Sequence, residues 1–97
     1  MSMRHTLLNN AGTPGVPVIV HPGGYYSFMG KATWPPGSAA KLQILLPDGA
    51  TFGDIVGAEL SADGMLPAPI FFPAGASVKV VDNGTQPTAG TFWLVSA

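Results

Sequence analysis

Apolar and polar residues alternate with a period of two over several short stretches, and each stretch is closed by a turn signal. The cleanest case is residues 40–46, where Leu42, Ile44 and Leu46 share one face and Lys41 and Gln43 the other. Successive side chains of a strand point to opposite sides, so this pattern predicts a half-buried strand with the three apolar residues in the core. Leu46-Pro47-Asp48-Gly49 then fits a tight turn, with Pro pre-setting φ at the second position and Gly accepting positive φ. Residues 51–56 follow as the return strand of a hairpin. Residues 77–82 put Val78 and Val80 inward and Lys79 outward, and Asp82-Asn83-Gly84 offers a turn of the primed type. The run Phe92-Trp93-Leu94-Val95 near the C-terminus predicts a strand buried within a sheet.

Prolines place the remaining segments. Residues 16–21 alternate Val16, Val18 and Val20 with Pro17, Ile19 and His21, and a proline that cannot donate to a ladder assigns this strand to an edge. Residues 25–34 form the longest strand candidate, with a bulge or bend expected at Gly30 and a firm stop at Pro35-Pro36-Gly37. Tyr26, Phe28 and Trp34 fall on one of its faces and Tyr25 on the other. Residues 65–72 contain Pro67 and Pro69 and run into Pro73, which predicts an edge or an irregular crossing segment. Residues 1–15 read as an extended N-terminal arm with at most one short strand, and residues 16–97 as a single domain. Asp63-Gly64 adds a further turn signal. The sum is an all-β chain of about eight short strands, a small β-sandwich with a jelly roll as leading topology. An immunoglobulin-like order is the fallback, although its Cys and Trp spacing is missing.

Composition sharpens this picture. Gly and Pro number 13 and 10 among 97 residues, which leaves no uninterrupted stretch for an amphipathic helix. Charged residues are only 9% against 46% hydrophobic, where about 25% charged is usual. Such a surface has little to oppose association, so part of it is expected to be covered by a partner or by copies of the same chain. The four basic residues, Arg4, Lys31, Lys41 and Lys79, are scattered and the net charge is −1, which argues against nucleic-acid binding. No cysteine is present, so neither disulfides nor thiolate metal sites contribute. The N-terminus lacks the apolar segment of a signal peptide and no run approaches a spanning helix. Synthesis in the cytoplasm and no membrane partner are therefore expected.

Candidate chemistry is sparse. His5 and His21 have no carboxylate at ligand spacing, and Asp48, Asp63 and Asp82 sit in turns where a short carboxylate caps backbone N–H groups. No Ser lies in a nucleophile elbow, and the glycines at 12, 15, 23 and 24 open no helix for a phosphate. A small hydrolase would need Asp54, Glu59 and a histidine to converge in a cleft. The expectation is accordingly no enzyme, no cofactor and no metal. Exposed Tyr25, Tyr26 or Trp34 could alternatively form a sugar-stacking platform in a carbohydrate-binding or head-fibre module. In Pro69-Ile70-Phe71-Phe72-Pro73 consecutive Phe residues must point to opposite faces, so one of them leaves the core for a subunit contact.

The stretch from Lys41 to Phe52 (KLQILLPDGATF), followed by residues 72–80 (FPAGASVKV) and an apolar C-terminal strand, resembles the small head decoration, or cement, proteins of tailed bacteriophages. The resemblance covers most of residues 23–97 and consists of strand and turn patterns. It implies a structural protein on the outer capsid surface of a virion, assembled as a homodimer or homotrimer and bound to the major capsid protein. The interface residues expected on this reading are Leu7 and Leu8 of the arm, together with Tyr25, Trp34, Ile70, Phe71 and Phe72.

Overall fold

In the computed structural model, which describes residues 3–97, the chain forms nine strands and no helix. They are β1 (Arg4–Ala11), β2 (Val18–Val20), β3 (Gly24–Thr33), β4 (Ala40–Leu45), β5 (Phe52–Leu60), β6 (Gly64–Met65), β7 (Ile70–Phe72), β8 (Ala76–Asp82) and β9 (Thr88–Ser96). One sheet, here sheet A, has the order β1-β9-β3-β6, with β7 also paired to β3; sheet B has the order β2-β8-β4-β5. All these ladders are antiparallel. The pairing is nested: β1 with β9, β2 with β8, β3 with β6 and β7, β4 with β5. The molecule is thus one long antiparallel ribbon rolled into two sheets, which is the jelly roll. Its tip is the Pro47-Asp48-Gly49 turn, halfway along the chain, where Gly49 takes φ +74 and donates its N–H to the Leu46 carbonyl at 3.0 Å.

Counting β6 and β7 as halves of one edge strand recovers the eight strands expected. Pro67 and Pro69 supply no ladder donors between them, and Leu66 N–H still reaches the Phe28 carbonyl at 3.0 Å before the chain leaves the sheet. β2 likewise lies at an edge, beyond Pro17. The other two Gly turns are not hairpins. Asp63-Gly64 and Asn83-Gly84 carry the chain from sheet B to sheet A, between β5 and β6 and between β8 and β9.

Between the sheets, Tyr26 and Phe28 of β3, Phe72 of β7, Phe92 and Leu94 of β9, Leu42 of β4, and Val78 and Val80 of β8 are buried. Each contributes about 1.5–3 kcal/mol of apolar transfer. Phe92 is the hub. Its ring stacks on Phe28 at 6.0 Å, receives the edge of Trp34 at 6.0 Å, and fills the space beside Gly30 and Gly90, where an added Cβ would overlap it. Gly30 is therefore a seat for the ring, in register with Phe92 across the β3–β9 ladder. The irregularity expected there falls instead between Lys31 and Thr33.

Three expectations are corrected. Within the segment read as an extended arm with one short strand, Arg4–Ala11 is an eight-residue strand, β1, held on β9, and its Leu7 is only 2% exposed; Met1 and Ser2 lie outside the described residues. Leu46 is 40% exposed, because β4 ends at Leu45 and Leu46 begins the turn. Val16 precedes β2 and is 74% exposed.

Candidate functional site

Each of the five side-chain carboxylates accepts a hydrogen bond, but only Asp48 caps its own turn as expected; Asp63 and Asp82 instead bond residues brought near by the fold. Asp48 accepts from the N–H of Ala50 (3.0 Å), the N–H of Thr51 (2.9 Å) and the Thr51 hydroxyl (2.7 Å). These bonds, that of Ala50 foremost, lower its pKa from 3.8 to about 2. Asp54 accepts from Gln43 at 2.8 Å and from the Lys41 ammonium at 3.0 Å, and Asp63 from Trp34 Nε1 at 2.8 Å and Ala32 N–H at 3.0 Å. Both are held below the ordinary carboxylate value, chiefly by Gln43 and by Trp34 respectively. Glu59 accepts from Asn83 at 2.5 Å, and Asp82 from the Thr13 hydroxyl at 3.2 Å. Asp54 and Glu59 do line one shallow groove of sheet B, with Lys41 and Asn83, but no histidine enters it. His5 lies in sheet A, its ring 5.5 Å from that of Tyr26. No group of three potential metal ligands occurs among the described residues.

The outer faces of the sheets contrast. Sheet B presents Lys41, Gln43, Asp54, Glu59 and Lys79 interspersed with Ile19, Leu45, Phe52 and Val81, Lys79 lying 4.3 Å from the centroid of the Phe52 ring. Sheet A presents a largely apolar face. Strand register sets Thr6, Trp93, Met29 and Met65 in one row across β1, β9, β3 and β6, and sets Arg4, Val95 and Ser27 in a parallel row. Beyond these rows Tyr25 and Phe71 face each other across the β3–β7 ladder, ring centroids 5.4 Å apart and edge to face, each 59% exposed. Arg4, Met29, Trp93 and Val95 line a shallow depression on this face.

A second apolar surface adjoins it on the open side of the sandwich. The β4–β5 ladder passes from Lys41–Glu59 directly to Gln43–Asp54, so residues 55–58 bulge from the register, with Gly57 at φ +83 and Val56 98% exposed while Ala58 stays in the core. Ile55 and Val56 form one wall of a groove whose other wall is the β6–β7 link, from Leu66 to Ile70.

Of the interface residues expected from sequence, Tyr25 and Phe71 reach the surface of sheet A, and Ile70 is half-buried in the wall of the groove. Leu8 is half-buried beside a register shift in β1 and lines a separate depression with Val16 and Val18. Leu7 and Phe72 are corrections. Strand parity turns both inward, Leu7 because β1 is paired and Phe72 because Phe71 takes the outward position. Trp34 is half-buried, edge-on to Phe92 and tied to Asp63, and Tyr26 is buried with its hydroxyl donating to the Pro22 carbonyl at 2.5 Å. Neither can stack on a sugar, which leaves Tyr25 alone of that platform. Met29, Met65, Trp93, Val95 and Val56 were not foreseen. Parity within Phe92-Trp93-Leu94-Val95 held the signal for two of them: if Phe92 and Leu94 point inward, Trp93 and Val95 must point out.

No family model and no curated protein matches this chain. Among solved structures it is similar to the Eiger TNF of S. frugiperda, with a TM-score of 0.56 and 13% identity over 99% of this chain and 85% of that one. At that identity the likeness concerns the β-sandwich fold alone.

Proposed function

We propose that this chain is a structural virion protein without enzymatic activity, which decorates a phage capsid and stabilises it by bridging major-capsid subunits. The observation that carries the reading is the distribution of surface chemistry. Four of the exposed large apolar side chains, Tyr25, Met65 and Phe71 on the outer face of sheet A and Val56 in the adjoining groove, gather on one side of the molecule, while each side-chain carboxylate is engaged in a hydrogen bond within the chain. A domain so arranged is suited to burying surface against neighbours, and the strand and turn pattern resembling phage cement proteins points to a capsid as the neighbour. In this mechanism each copy makes modest contacts to adjacent capsid subunits, and repetition over the lattice sums them against the pressure of packaged DNA.

Co-sedimentation with DNA-filled phage heads tests the proposal. Saturable binding is expected, together with a higher temperature of DNA release from decorated heads. Protein that stays in the supernatant at every ratio of chain to capsid overturns it.

A further inference from the structure

We propose that the outer face of sheet A is covered by a second copy of this chain, which leaves the β5–β7 groove for a different partner. The inference rests on the adhesive reading above and names the occupant of one of its surfaces.

The area argument comes first. Taking about 200 Å² for a fully exposed large side chain, exposures of 59% for Tyr25 and Phe71 and 56% for Met65 leave about 350 Å² of these three in water. The half-buried Met29, Trp93 and Val95 raise the apolar total to roughly 400–570 Å² on the same scale. An ordinary interface covers about 800 Å² per partner and is about 65% apolar in homodimers, or about 520 Å² per subunit. The face therefore holds, in one contiguous patch, the apolar content of a complete self-association surface.

Charge and shape then select an identical partner. Arg4 and Lys31 are the charges on this face, and they lie at opposite corners: Arg4 shares a row with Ser27 on β3, and Lys31 is four residues further along that strand. Two copies can meet at the neutral centre without setting like charges against each other. The straight row from Thr6 through Trp93 and Met29 to Met65 suits stacking of sheet on sheet at about 10 Å. A two-fold axis along the strands would set Trp93 of one copy against Met29 of the other, a favourable sulfur–aromatic contact.

Sedimentation equilibrium of the full chain decides the matter. At up to roughly 100 μM, well above the weakest affinities of standard interfaces, the mass is expected to be at least twice the 9.9 kDa of one chain. Met29→Lys and Phe71→Asp should each return it to a single copy with an unchanged far-ultraviolet spectrum, whereas Ile19→Asp, on the edge of sheet B, should leave it assembled. A wild-type monomer overturns the inference, and so does assembly that survives Phe71→Asp, the variant least able to disturb folding because its ring already lies outside the core. The capsid reading fails or stands separately: an assembled chain that ignores phage heads sinks only that reading, and a monomer that binds them sinks only this one.

Discussion

Gly30 and Asp48 show how differently two residues of turn-forming type are used. A methyl group on Gly30 would enter the space of the Phe92 ring, which Gly90 confines from another side. Gly30→Ala is therefore expected to lower stability by about 1–3 kcal/mol through overpacking, measured by urea unfolding. Asp48 works through its ionised form, which accepts three bonds and titrates at about 2. A carboxylate with a depressed folded pKa adds stability above its unfolded value near 3.8, and this is lost as pH falls through about 2. Asp48→Asn should lower the melting temperature at neutral pH, where the wild-type carboxylate is fully ionised, and flatten its fall between those two pH values. A variant with the wild-type acid slope would show that the cap adds nothing. The role of Asp48 was legible because its partners lie two and three residues away. The role of Gly30 was not, because its partner is 62 positions along the chain and only the β3–β9 register brings them together.

At the scale of elements, what could be read locally was right and what depends on distant pairing was not. The β4–β5 hairpin, the edge position of β2 and the burial of β9 each follow from alternation and proline within a few residues. The sheet-switching turns at Asp63-Gly64 and Asn83-Gly84 carry the same local chemistry as a hairpin, so nothing in the sequence distinguishes them. β1 looked loose because Asn9, Asn10 and Gly12 crowd its end, yet its pairing with β9 sets Leu7 in the core. Removing residues 1–11 should consequently abolish cooperative unfolding, where release of a free arm would leave it intact. The split between β6 and β7 has its own consequence. Pro67 and Pro69 stop the outer edge of sheet A from offering a continuous ladder to another chain. Replacing both with Val should restore such an edge and increase the fraction pelleted by ultracentrifugation, without loss of the β-sheet spectrum. A double variant as soluble as the wild type would mean that the bulge of β5 alone guards this side.

For the whole molecule, the scarcity of charge determines how its contacts should respond to solvent. Exposed charges interact over about 10 Å at 0.1 M salt and about 3 Å at 1 M, so an assembly held by ion pairs weakens steeply over that range. Here the candidate surfaces are Tyr25, Phe71, Met65 and Trp93 on sheet A and Val56 and Ile70 in the groove, with Arg4 and Lys31 only at corners of the former. Burial of such side chains does not depend on screening, and sulfate strengthens it because the ion is excluded from protein surface. Both the mass in solution and the occupancy on phage heads should therefore persist from about 0.1 M to about 1 M NaCl and rise when sodium sulfate replaces the chloride. A loss of tenfold or more in either quantity at the higher salt would locate the binding energy in the polar face of sheet B, where Lys41, Lys79, Asp54 and Glu59 reside, and would reverse the assignment of the two faces.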